Sequence, residues 1–332
     1  PDSVAYQLLM QTLYLKHPRR WPVLGEPAAF DCLTRQDVLD YHASRYVPNN
    51  VVLSIAGDVD AAEIFSHLEL LVEDLKSRPL NRELIPHEPH QFGSRRVRKE
   101  FAVPYSKLNL AWRLPCSGHP DTPALSALAS ILGGGRSARF YEKFHDRLGL
   151  VYSIEVHSNQ SETDEGAFTI SIDVDRAQRD KVRDLVLQEL RNLAQEDFTE
   201  DLKRVCKQTR VSRLRRRSSA AGVASEMGAD WFGARNLNLS SEWQEAIERV
   251  TTEDLHRVCS TWLSSPNVTE VSLDPVGSNA AEEDGSAAGT ETALSEHVLG
   301  NGMKVVIRED HRLPLAYACL AFKAGCRAEN EH

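Results

Sequence analysis

His87, Glu88 and His90, in the stretch HEPH, place two imidazoles and a carboxylate within four residues, a donor set that divalent metals accept. Pro89 rules out a regular helix across them and no third partner stands near, so no metal ligand is assigned there. Gly133, Gly134 and Gly135, followed by Arg136, raise phosphate binding. The run lacks a Lys-Ser/Thr pair and does not follow a strand, so it reads as a helix–helix turn needing positive φ. The stretch RVSRLRRR, residues 210–217, carries five arginines. On a helix they spread around the cylinder and read as a solvated or salt-bridged face, not an RNA contact. Cys32, Cys116, Cys206, Cys259, Cys319 and Cys326 form no CxxC pair. That excludes a zinc ribbon or thioredoxin-type centre and leaves buried free thiols as the reading, which favours a reducing compartment. No G-x-S-x-G or Cys–His pairing supports nucleophilic hydrolysis, so no catalytic residue is assigned.

The elements that would position such residues follow from periodicity. The chain has 332 residues, 41% hydrophobic and 26% charged, with net charge −9. That is a globular composition of two ordinary domains or one with partial neighbours, and it argues against nucleic acid as a partner. No apolar run reaches the ~20 residues that span a bilayer, so no membrane partner is expected either. Val4, Leu8, Leu9 and Leu13 mark a helix over 3–16, ended by HPRRWP. Thr34 and Asp37 form a capping box for a second helix with Val38, Leu39 and Tyr46 on its buried stripe. VVLSIAGD reads as a wholly apolar buried strand, and a helix covers 61–76.

After the connector SRPLNRELIPHEPH, two alternating strands (SRRVRKEFAV, SKLNLAWRL) lead to helices at 122–132 and 137–147 divided by GGGRSA. Two more strands follow, VYSIEVHS and GAFTISIDV, then a helix over 177–195 and a long basic helical stretch over 199–230. Strands and helices grouped in this order give an α+β fold. TTEDLHRVCSTWLSSPNVTEVSLDPVG then repeats TRQDVLDYHASRYVPNNVVLSIAGD: Thr251 and Asp254 match Thr34 and Asp37, and Pro266-Asn267 stand near the place of Pro48-Asn49. The repeat implies duplicated domains, each a mostly antiparallel sheet packed against helices. GSNAAEEDGSAAGTETA reads as an acidic flexible linker, and HVLGNGMKVVIRED as a hairpin turning at Asn301-Gly302, with LAYACLAFKAG a further strand.

Three stretches resemble the pitrilysin/insulinase family of inverted-zincin metallopeptidases, which includes the mitochondrial processing peptidase. They are DYHASRYVPNNVVLSIAGDVD, ILGGGRSARFYEKFHDRLGLVYSIEV and LGNGMKVVIREDHRLPLAYACLAFKAGCRAENE. The resemblance implies that residues 1–80 are the C-terminal part of a metal-type peptidase domain and 81–275 a complete second domain. It makes 276–295 the linker and 296–332 the first strands of the next homologous half. The family's mechanism needs H-x-x-E-H on a helix, whose glutamate activates a zinc-bound water. That motif is absent: Glu296-His297 and Glu331-His332 are preceded, at positions 293 and 328, by alanine. The chain is therefore expected to be an internal fragment of a zinc-dependent endopeptidase with the zinc ligands outside it. Its expected partners are a peptide substrate and the other homologous half of the parent protein. The alternative is a non-catalytic structural or partner subunit of the same fold.

In active relatives an Arg and a Tyr seven positions apart on this segment contact the bound peptide. Here Tyr152 keeps the tyrosine, and His145 stands where the arginine would be. The resemblance thus makes Tyr152, His145, Gly134 and Gly135 the candidate substrate-binding residues, with Tyr152 alternatively a core or rim aromatic.

Overall fold

The computed structural model describes residues 1–80, 85–160, 165–263, 266–277, 294–301 and 303–308. Its elements run α1 (Asp2–Leu13), α2 (Pro27–Phe30), α3 (Arg35–Arg45), α4 (Ala61–Val72), β1 (Arg95–Phe101), β2 (Ser106–Leu114) and α5 (Thr122–Gly133). There follow β3 (Val151–Asn159), β4 (Gly166–Val174), α6 (Arg179–Asn192), α7 (Thr199–Arg216), α8 (Ala220–Ala234), α9 (Leu239–Glu248), α10 (Thr252–Val258) and β5 (Thr269–Pro275). Residues 1–278 make one compact unit and 279–332 another. In the second, β6 (Leu294–Val298) and β7 (Lys304–Arg308) form an antiparallel hairpin. Asn301 accepts from Met303 N–H at the turn. Strand β6 opens two residues inside the stretch read as linker; 278–293 and LAYACLAFKAG lie outside the described residues.

The first unit is an α+β domain around a five-stranded sheet of order β1-β5-β2-β4-β3. Only β1–β5 is parallel; β5–β2, β2–β4 and β4–β3 are antiparallel. Strands β1 and β2, consecutive in the chain, are not neighbours in the sheet, because β5 inserts between them. Alternation along β2 explains the layering. Leu108, Leu110, Trp112 and Leu114 enter a core with Leu125, Leu128 and Leu132 of α5, Val182, Val186 and Leu190 of α6, and Leu255 and Val258 of α10. Ala111, on the opposite face, lies with Leu9, Met10, Leu13 and Tyr14 of α1. One face is thus sealed by several helices, and α1 covers part of the other.

Several sequence expectations are corrected. The capping box of α3 forms as read, with Thr34 N–H donating to Asp37 Oδ2 at 2.8 Å and Asp37 N–H to Thr34 Oγ1 at 3.3 Å. Its expected buried stripe is exposed: Val38 58%, Leu39 41%, Tyr46 67%. Residues 51–56 form no regular element and pair with no strand among the described residues, and Val51, Leu53 and Ile55 are exposed. A strand needs a neighbour for its ladder bonds, and none of the described residues supplies one. The long basic helix breaks at Arg217–Ser219, where the Ser219 hydroxyl caps α8 by accepting from Gly222 N–H at 3.1 Å. The helix expected over 137–147 becomes a π-helical turn at Tyr141–Arg147.

Glu88, from the HEPH stretch, is a tether and not a metal ligand. Its carboxylate accepts from three consecutive backbone N–H groups beyond α1: Leu15 (2.6 Å), Lys16 (2.8 Å) and His17 (2.9 Å). Burial pushes this carboxyl up, but the three N–H donors outweigh burial and its pKa is lowered. The native state therefore binds the proton less tightly than the unfolded chain. The stabilisation is fully present above the ordinary glutamate value of about 4.3 and is lost as pH falls through the lowered native value. Glu88→Gln should cost about 2 kcal/mol at neutral pH. Urea unfolding at pH 7 and at acid pH should show the wild-type–variant gap shrinking as pH drops.

Candidate substrate-facing site

Strand β3 forms one edge of the sheet, and its pairing with β4 steps between Val151 and Ser153. Tyr152 is the extra residue of this bulge, a device that re-aims a side chain. It is 59% exposed and packs against Tyr105, ring centroids 5.2 Å apart. The Tyr105 ring in turn lies 5.2 Å from Lys107 Nζ. Lys107 is held between Asp2 (2.7 Å) at the start of α1 and Asp173 (2.9 Å) on β4. Burial lowers the Lys107 ammonium's pKa, yet the two carboxylates prevail and raise it; Asp2 is lowered, chiefly by its bond to Lys107.

His145 lies in the π-helical turn, stacked on Tyr141 (4.4 Å between centroids) with Nδ1 2.7 Å from Asp146 Oδ1. No hydrogen bond or ring contact joins it to Tyr152 among the described residues, although Gly149 N–H donates to its carbonyl (3.2 Å). The two candidates thus sit on adjoining elements, each with its own partners. The glycine run serves close approach more than the expected positive φ. A Cβ at Gly133 would stand 2.3 Å from Val156 N on β3, and one at Gly134 2.4 Å from Ser130 O. Only Gly135 has positive φ, +100°. The run ends α5 against the edge strand, which fixes where the segment bearing His145 begins.

Beside the Lys107 bridge, the half of the sheet face that α1 leaves uncovered forms a cleft of about 270 Å³ lined by Tyr6, Lys107, Asn109, Glu155, His157 and Ser171, among others. Ser171 Oγ donates to Asn109 Oδ1 at 2.8 Å, and His157 Nε2 lies 3.4 Å from Glu155 Oε2. These residues were not singled out from the sequence. The signal was there: VYSIEVHSN and GAFTISIDV alternate apolar with polar side chains, and the polar set shares one face. The face offers hydrogen-bond donors and acceptors but no hydrolytic machinery. Among the described residues no group of three or more His, Cys, Asp and Glu could hold a metal ion. The described residues therefore do not fit the zinc that the family implies. Burial pushes the Cys259 thiol up to about 12, which removes it as a nucleophile.

The family model described as peptidase M16 inactive domain matches residues 33–208, more than half of the chain. The chain belongs to the peptidase M16 family. The resemblance to pitrilysin/insulinase-type peptidases is thereby borne out. Zinc protease PqqE of Helicobacter pylori is 25% identical over 285 residues, covering 83% of this chain and 63% of that protein. An uncharacterized zinc protease of Mycobacterium tuberculosis is 29% identical over 161 residues, covering 46% of this chain and 36% of that protein. The M16 chain described here thus spans less than two thirds of these relatives' lengths. Among solved structures, a peptidase M16 inactive domain from Pseudomonas fluorescens superposes with a TM-score of 0.73 at 21% identity, covering 82% of this chain and 65% of that one. A chain of complex III2 from Candida albicans gives 0.67 at 17% identity, covering 82% and 66%. At these identities the likeness establishes the α+β fold.

The glycine geometry gives a direct check. Gly133→Ala should cost about 2 kcal/mol, because the methyl group meets backbone as well as the Val156 side chain. Gly135→Ala, strained only by φ in open space, should cost about 1 kcal/mol. Urea denaturation of both variants should show that order.

Proposed function

We propose that this chain supplies wall and peptide-facing surface to a zinc-dependent endopeptidase whose metal ligands lie on other segments, opposite a homologous half that closes the chamber. The observation that carries this reading is the polar half-face of the sheet, running from the Asn109–Ser171 pair to the exposed bulge tyrosine Tyr152, in a domain of the inactive M16 type. An extended peptide alternates N–H and C=O groups. Asn109, Ser171 and Glu155 can bond such groups, while the Tyr152 ring offers an apolar contact that orients the chain. These residues bind and position; they move no proton and attack no carbonyl. Zinc, where the parent holds it, would supply the activated water.

A second reading is a non-catalytic structural or partner subunit. It is favoured by the fold shared with the complex III2 chain and by the lack of a metal-ligand group among the described residues. The two separate by elemental zinc analysis and peptide-cleavage assays on the 332-residue chain and on a longer polypeptide from the same gene. The expected result is zinc and cleavage in the longer form only. Tyr152→Ala in that form should raise KM about fivefold with kcat nearly kept, as loss of uniform binding requires. A longer form without zinc or cleavage would establish the structural role. Stoichiometric zinc on the 332-residue chain would overturn the assignment of the metal elsewhere.

A further inference from the structure

Within the arginine run at the end of α7, Arg213 and Arg217 are spent on neighbours. Arg213, partly buried, donates to Glu226 Oε1 (3.1 Å), Gln244 Oε1 (3.3 Å) and Ser241 Oγ (2.6 Å). Arg217 donates to the same Glu226 oxygen at 2.8 Å. Arg215 and Arg216, between them, are exposed and make no side-chain hydrogen bond or ion pair among the described residues. The two serines that follow also differ. Ser219 is committed to the cap of α8. Ser218 Oγ donates to the Arg215 carbonyl at 2.7 Å, and its own lone pairs are unused.

The last turn of α7 is held at Arg213 and by little beyond it. Leu214 is 64% exposed, and residues 214–219 are exposed throughout. Opening that turn uncovers no buried apolar side chain, and the Arg213 contacts keep the opening from spreading up the helix. Ser218 then stands in an extended, accessible segment, with the two free guanidinium groups three and two residues before it. Planar, forked guanidinium groups pair bidentately with carboxylates. A protein kinase whose peptide groove carries carboxylates at those two places reads this spacing. The other arginine pairs, Arg19-Arg20 and Arg95-Arg96, are followed by Trp21-Pro22 and Val97-Arg98 and offer no serine or threonine there.

We propose that Ser218 is a phosphorylation site for an arginine-directed protein kinase. The Ser218 oxygen attacks the γ-phosphorus of ATP. The new Oγ–P bond replaces the bond from that phosphorus to the β–γ bridging oxygen, ADP leaves, and the hydroxyl proton passes to a base on the kinase. The phosphate brings a charge of about −2 next to Arg215 and Arg217 and ahead of the N-terminus of α8, where cations and helix N–H groups accept it. The proposal goes beyond the chamber role and does not rest on it.

The test is incubation of the folded 332-residue chain with MgATP and the catalytic subunit of cyclic-AMP-dependent protein kinase, an arginine-directed enzyme, read by intact mass and fragment mapping. A synthetic peptide of residues 210–222 runs beside it as the unfolded control. The expected result is a phosphate on Ser218 in both. Ser218→Ala should lose it, and Ser219→Asn, which keeps a capping side chain, should retain it. Arg215 and Arg216 are exposed and unpaired, so Arg215→Ala and Arg216→Ala should fold. Each should slow phosphorylation about tenfold by removing a charge-assisted contact to the kinase. Phosphate on the peptide but not on the folded chain overturns the proposal, because the helix end then fails to open. So does phosphate only at other residues, none on either, or a rate that the arginine variants leave unchanged.

Discussion

The architecture depends on β5 entering the sheet between β1 and β2. Residues 269–275 come more than 150 positions after the strands they join, yet they pair parallel with β1 on one side and antiparallel with β2 on the other. Their polar side chains are held in place. Asp274 accepts from Ser106 Oγ at 2.6 Å and Ser272 Oγ at 3.0 Å and pairs with the fully buried Arg179 of α6. Deleting one member of such a buried pair leaves the other uncompensated, which commonly costs 3–5 kcal/mol. The network specifies the seat of β5 and joins α6 to it. Without β5, β1 would have no neighbour in the sheet and β2 would be an edge.

The repeat within the chain shows how much of that is local. Both copies form the same reciprocal cap, Thr34 with Asp37 and Thr251 with Asp254, because a capping box needs only four consecutive residues. Their downstream strands diverge. Residues 269–275 lie in the sheet and are almost wholly buried, whereas 51–56 form no regular element and are mostly exposed. A similar apolar run is a strand in one copy and an unpaired segment in the other. The difference lies in which neighbours the described residues provide, and propensity cannot report that.

The same division marks what was legible in the candidate site. The α+β class, a strand carrying Tyr152 and a turn at the glycine run follow from alternation and turn chemistry. The insertion of β5 did not, since strand order is set by pairings distant in sequence. The break at Ser219 hinged on a serine that competes for backbone N–H groups inside an otherwise helical pattern. HEPH looked like ligand chemistry because the residue types were right. Its glutamate is spent on three backbone donors, and that becomes visible only when residues 15–17 and 88 come together.

Position of α1 then decides what the sheet can present. The helix buries Leu9, Leu13 and Tyr14 on one part of the outer face and stops at the Asp2–Lys107–Asp173 bridge. Beyond that line the residues of β3 and β4 are polar, which would be wasteful beneath a helix and is suited to a surface that meets water or a polar chain. Glu88 holds the far end of α1, so helix placement and the extent of the open face share one anchor system. The proposed peptide contact would require no catalytic group, only a rigid sheet with its hydrogen-bonding half left clear. In this domain a single short helix, fastened at both ends, sets that limit.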